Sequence, residues 1–153
     1  MINVATPVAN AAELESLAVS AVDAMALAGL FDQKITAPGI RFAVLLHTKD
    51  GRVFQKDKIS EHWTTYAVKD MTRVEADAVV AYELAKRTTS TYEIADLDER
   101  AQVTKVRSAA AKAVRASVGY EDWTKEKRFG PEGEFIGAAS RLAANLAEAR
   151  ARA

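Results

Sequence analysis

The chain has 153 residues, with 21 basic and 21 acidic side chains, two histidines and no cysteine. One domain's worth of chain, read as a single domain over residues 1–153, can bury a sizeable core without a staple. The missing cysteine excludes a disulfide framework, a thiolate zinc site and a cysteine nucleophile, and makes the reducing cytoplasm the simplest compartment. Zero net charge hides a partition: residues 41–58 carry a net +3 and residues 101–130 a net +4, alternating with acidic stretches over residues 1–40 and 59–100. Such a dipolar surface suits a polyanion or the acidic face of another copy.

The first seven residues carry no basic side chain, and Glu13 and Glu15 precede the apolar run, so the layout of an export signal is missing. Leu14, Leu17, Ala18, Ala21, Met25 and Ala28 recur at helical spacing and predict a helix over residues 13–31. Val19, Val22, Leu27 and Leu30 make its other sides apolar too, leaving a narrow polar strip at Glu15, Ser16, Ser20 and Asp23. A helix covered on several sides is implied, and part of that cover can come from another subunit, so a homo-oligomer is expected. The apolar stretch holds Asp23 and is shorter than the roughly 20 residues that span a bilayer, so no membrane partner is expected.

Ala37, Pro38 and Gly39 end that helix. Residues 41–47 then alternate Phe42, Val44 and Leu46 against Ala43, Leu45 and His47, as a strand does. Asp50-Gly51 supplies a tight turn whose two central residues take positive φ, and residues 53–58 form the partner strand. Residues 63–68 are β-branched and aromatic and read as a third strand, with a short helix from Ser60 as the competitor.

Thr72 and Glu75 have capping-box spacing and open a helix that ends near Arg87. Ser90 and Glu93 repeat the spacing, and Asp96 offers a second start, before a long helix striped by Leu97, Val103, Val106, Ala110 and Val114 that stops at Gly119. Pro131, with Glu132 and Glu134 in the first turn, opens a last helix lined by Phe135, Ala138, Ala139, Leu142, Leu146 and Ala149. The fold class is α+β and helix-rich: an N-terminal helix, a small antiparallel sheet made of a hairpin and a third strand, then three helices.

Catalytic signatures are missing. No serine elbow, phosphate-binding P-loop or dinucleotide-binding glycine turn occurs, and His47 and His62 lack the spacing of a metal pair. Gly130, Gly133 and Gly137 fit a loop-to-helix junction better than a phosphate cradle, because Glu132 and Glu134 repel an anion there. Asp96, Asp98 and Glu99 fit the acidic first turn of a helix. No enzyme, cofactor or metal is implied.

The basic segments say more. Lys105, Ser108, Lys112 and Arg115 make one stripe on the long helix, with Arg107 nearer its apolar face. In the hairpin, Lys49 and Arg52 flank the turn, while Lys56 and Lys58 share a face of the second strand like a charged wing. Trp63, Tyr66, Tyr120, Trp123 and Phe129 are the rings available for base stacking. Trp123 is expected outside, among Glu121, Asp122, Thr124 and Lys125, and next to Lys127 and Arg128. The reading is a sequence-tolerant, oligomeric nucleic-acid-binding protein that prefers single-stranded DNA. The alternative is a structural or adaptor protein that self-assembles or binds a protein partner through alanine-rich helices, a description that small virus-encoded assembly proteins fit.

Overall fold

The computed structural model describes residues 7–59, 61–65, 69–86 and 89–153. Helices and a small antiparallel sheet make it an α+β protein, with the N-terminal helix first, then strands, then helices. Its residues pack into two compact units, Met1–Ile35 with Val103–Ala153, and Thr36–Gln102.

The first unit is helical. Helix α1 (Pro7–Leu27) begins earlier and ends earlier than its periodicity implies. Its stripe holds through Met25: Ala18, Ala21 and Met25 are buried with Val22 and with Phe31 of the following loop, whereas Ala28 lies past the helix end and is exposed. Helix α3 (Leu97–Ser117) starts in the other unit and contributes Ala110 and Val114 to this core. Gly119, at φ 63°, terminates the segment by taking the left-handed conformation that glycine accepts without steric cost. A 3₁₀ turn (Tyr120–Asp122) and the short helix α4 (Lys125–Arg128) follow, capped by Thr124, whose hydroxyl accepts from Lys127 N. Helix α5 (Pro131–Arg152) has proline in its first turn, as expected, but its inner face is rotated from the one read in the sequence. Ile136, Ala139, Ser140, Ala143, Ala144, Ala147 and Ala151 are buried, whereas Ala149 faces solvent. Alanine lies on several sides of α5, and the face that packs inward is centred on Ala139, Ala143 and Ala147.

The second unit is a sheet with a helix on it. Strands β1 (Phe42–His47), β2 (Val53–Lys56) and β3 (Trp63–Thr64) and the strand β4 (Thr91–Asp96) lie in the order β3-β2-β1-β4, all antiparallel. β4 was not expected. The spacing of Ser90 and Glu93 mimics a capping box, but Tyr92 and Ile94 alternate along a strand and pack with Phe42 and Val44. It pairs along the whole of β1, from Phe42 opposite Asp96 to His47 opposite Thr91. β1 is therefore central, which explains its apolar residues on both faces: Phe42 and Val44 pack with Met71 and Ala76, and Ala43 and Leu45 with Ala95.

The hairpin turn also departs from expectation. Gly51 alone takes positive φ (86°), and the loop is longer than two residues, closed by Thr48 N donating to Arg52 O at 2.9 Å. Helix α2 (Arg73–Ala85) has the full capping box, with Glu75 N donating to Thr72 Oγ1 at 3.2 Å and Thr72 N donating to Glu75 Oε1 at 3.1 Å. Asp96 is the true start of α3: its Oδ1 accepts from the N–H groups of Asp98 and Glu99, both at 3.0 Å. Ser60, Tyr66 with the rest of the expected third strand, and the helix end expected at Arg87 lie outside the described residues.

Candidate nucleic-acid interface

The hairpin does not present the run of free cations that its sequence suggests. Arg52 Nε lies 2.9 Å from Asp50, and its guanidinium covers the Phe54 ring. Lys56 is drawn inside, with Nζ 3.3 Å from Glu83 and 5.2 Å from the centre of the Trp63 ring. Lys58 lies past the end of β2, so it does not share a strand face with Lys56, and it pairs with Glu75 at 2.7 Å. That pairing, with the Thr72 N–H, holds the Glu75 carboxyl below its usual range. Lys49 alone remains exposed without a carboxylate partner among the described residues. Trp63 is half-buried and packs against Tyr92, ring centres 5.9 Å apart.

Trp123 is also inside rather than out. Its Nε1 donates to Val118 O at 3.1 Å, its ring lies 5.2 Å from Tyr120, and Lys127 Nζ sits 4.2 Å above it. The indole N–H needs a partner once buried, and the carbonyl of Val118, just past the end of α3, supplies one. Lys127 further pairs with Glu132 at 3.3 Å. Arg128 stacks on Tyr120 at 4.8 Å and donates to the carbonyls of Tyr120 and Glu121. Both cations thus hold the α3–α5 connection together. Phe129 is the ring left outside, 78% exposed.

Helix α3 keeps its free charge. Lys105 and Lys112 are exposed and Arg115 is half-buried, and none of the three has a carboxylate partner among the described residues. Lys125 is exposed in the same way. Arg107, as its position on the helix implies, is engaged: it donates to Glu148 at 3.0 Å. Burial pushes the Glu148 carboxyl up, but hydrogen bonds from Arg152 and Arg107 outweigh it and hold the group below its usual range.

One feature of this unit is not legible in the sequence. Arg107 and Arg115 from α3, Arg141 and Ser140 from α5, and Tyr120 line a single cavity of about 320 Å³. No acidic residue lines it. Ser140 is 7% exposed, and its hydroxyl has no hydrogen-bond partner. A serine inside an alanine-rich helix carries no sequence signal, because its meaning depends on which face packs inward. Gly133 and Gly137 also line the cavity. A Cβ on Gly133 would sit 1.7 Å from Arg128 O, so that glycine is there for close backbone approach.

The remaining candidates resolve into structure. His47 Nε2 lies 2.8 Å from Glu93 Oε1 across the β1–β4 pair. Asp96 caps α3, and Asp98 pairs with Arg41 at 2.8 Å. Among the described residues no group of three or more histidine or acidic side chains is placed to hold a metal ion. No described helix is long and apolar enough to cross a membrane. In comparison with known proteins the chain matches no family model, no curated protein and no solved structure.

Proposed function

We propose that the protein binds the phosphate backbone of nucleic acid, single-stranded DNA by preference, through the cationic face of α3. The observation that carries this reading is that Lys105, Lys112 and Arg115 share one face of that helix and have no carboxylate partner among the described residues. A surface cation left without an internal partner keeps its full attraction for a phosphate, whereas the hairpin cations other than Lys49 are already compensated. Lys125 and the exposed Phe129 add a further charge and a stacking ring. Sequence tolerance follows because none of these groups is held in the fixed, bidentate geometry that reads a base edge.

The test is a polarisation titration with a labelled single-stranded oligonucleotide at two salt concentrations. Binding that weakens with salt, and weakens further when Lys105 and Lys112 are both changed to glutamine, supports the reading. No binding at low salt removes it.

Self-association is a second reading, favoured by the outer side of α1 and its following turn. Leu27 is 90% exposed and Leu30 47%, apolar surface that a second copy of the chain covers in this reading. Sedimentation at several concentrations, with Leu27→Ser as the control, decides it.

A further inference from the structure

We infer that the cavity lined by Arg107, Arg115, Arg141, Tyr120 and Ser140 is a binding site for a phosphomonoester. Three things define it. The first is charge: Arg107 is balanced by Glu148, but Arg115 and Arg141 have no carboxylate partner among the described residues. Two uncompensated guanidinium groups match a dianion, and a phosphomonoester carries nearly two charges at neutral pH. A backbone phosphodiester or a carboxylate carries one, and leaves one arginine unbalanced.

The second is the Ser140 hydroxyl. It is more than nine-tenths buried, belongs to a residue that lines the cavity, and has no hydrogen-bond partner among the described residues. Buried polar groups are almost always satisfied, so an orphan at the wall of a cationic cavity points to a ligand oxygen. The third is shape. Ile136 and Ala144 give part of the wall an apolar surface, and the volume of about 320 Å³ leaves room for an organic body beside the phosphoryl group.

The site shares Arg115 with the face proposed for nucleic acid but stands on its own observations. A phosphomonoester can come from a free small molecule or from the 5′-phosphorylated end of a strand. Isothermal titration of the full chain with phenyl phosphate, inorganic phosphate and benzoate at constant ionic strength tests the chemistry. One saturable site is expected, with benzoate at least tenfold weaker than phenyl phosphate. Arg141→Gln and Ser140→Ala are each expected to weaken phenyl phosphate about tenfold, the usual scale for one hydrogen bond to a charged group. Neither residue belongs to the proposed strand-binding face. The Lys105→Gln, Lys112→Gln protein is therefore expected to bind phenyl phosphate normally even where it loses oligonucleotide.

A 5′-phosphorylated oligonucleotide that binds more tightly than its 5′-hydroxyl twin, with the gain lost in Arg141→Gln, assigns the strand end. Equal affinity of the two, with phenyl phosphate still bound, assigns a free small molecule. Absence of saturable binding by phenyl phosphate, parity with benzoate, or affinity unchanged in both variants overturns the inference.

Discussion

Lys56 Nζ lies 3.3 Å from Glu83 Oε1, and the two side chains are only 13% and 5% exposed. Lys86 approaches the same carboxylate at 3.6 Å from the surface side. A buried charge left without its partner destabilises more than the pair stabilises, because the desolvation cost is no longer offset. Glu83→Leu strands Lys56 and is expected to cost about 3–5 kcal/mol. Lys56→Met costs less, since Glu83 keeps Lys86. Combining the two changes is expected to recover most of the loss, and urea unfolding of the four proteins measures the cycle.

The same pair shows where the sequence stops being legible. The strand bearing Lys56 and the helix bearing Glu83 were both readable from alternation and capping. Which lysines would be drawn inward was not, because a net count of +3 over residues 41–58 says nothing about the carboxylates that α2 brings to the hairpin. Trp123 was not legible for a related reason: polar neighbours in sequence suggest exposure, but the Val118 carbonyl past the end of α3 offers its indole a partner. The Lys105, Lys112 and Arg115 face was legible because helical spacing alone sets it. The cavity was not, since it depends on which residues of the alanine-rich α5 face α3 across it.

Asp96 joins β4 to α3 through its carboxylate, which accepts from Glu99, Asp98 and Gly39 N–H groups. The bond from Glu99 and those from Gly39 and Asp98 outweigh burial and hold its pKa below the usual range. A depressed folded-state pKa contributes stability that is fully present above the unfolded value, about 3.9, and is lost as pH falls through the folded value. Asp96→Asn is expected to lower stability at pH 7 and to flatten its decline between about pH 5 and 2. Thermal melts of both proteins across that range check the slope; identical slopes count against this linkage.

Gly133 and Gly137 sit one turn apart on α5 but face different neighbours. A Cβ at 133 would meet Arg128 O at 1.7 Å, whereas at 137 it would meet only the end of the Arg141 side chain at 3.7 Å. Gly133→Ala therefore forces the α4–α5 turn to move, at a cost of about 1–3 kcal/mol or more. Gly137→Ala gains helix propensity and is expected to stabilise by up to about 1 kcal/mol. Opposite shifts in melting temperature are the result to look for.

Phe129 is exposed, so its removal separates binding from folding. Phe129→Ala is expected to leave the melting temperature within the small range usual for surface changes. If a base stacks on the ring, the same change costs about 1–3 kcal/mol in single-strand affinity. Changing Lys105 to glutamine instead lowers the salt slope of binding by about 0.7, the share of one phosphate contact on a single strand. A ring that contributes through stacking leaves that slope unaltered, so the two variants separate charge from stacking in one titration series.

Ser140 offers the sharpest separation of stability from function. Its hydroxyl is buried without a partner, and such a group costs about 1–3 kcal/mol relative to a satisfied one. Alanine also favours the helix more than serine does. Ser140→Ala is therefore expected to raise the melting temperature in phosphate-free buffer, by about 2–4 °C for each kcal/mol recovered in a chain of this size. Adding phenyl phosphate is expected to narrow the gap, by up to about 1.4 kcal/mol for a tenfold difference in affinity, because a ligand that binds only the folded state stabilises the parent more than the variant. A serine that only satisfies the fold gives the opposite pattern: Ser140→Ala melts lower with or without the ligand.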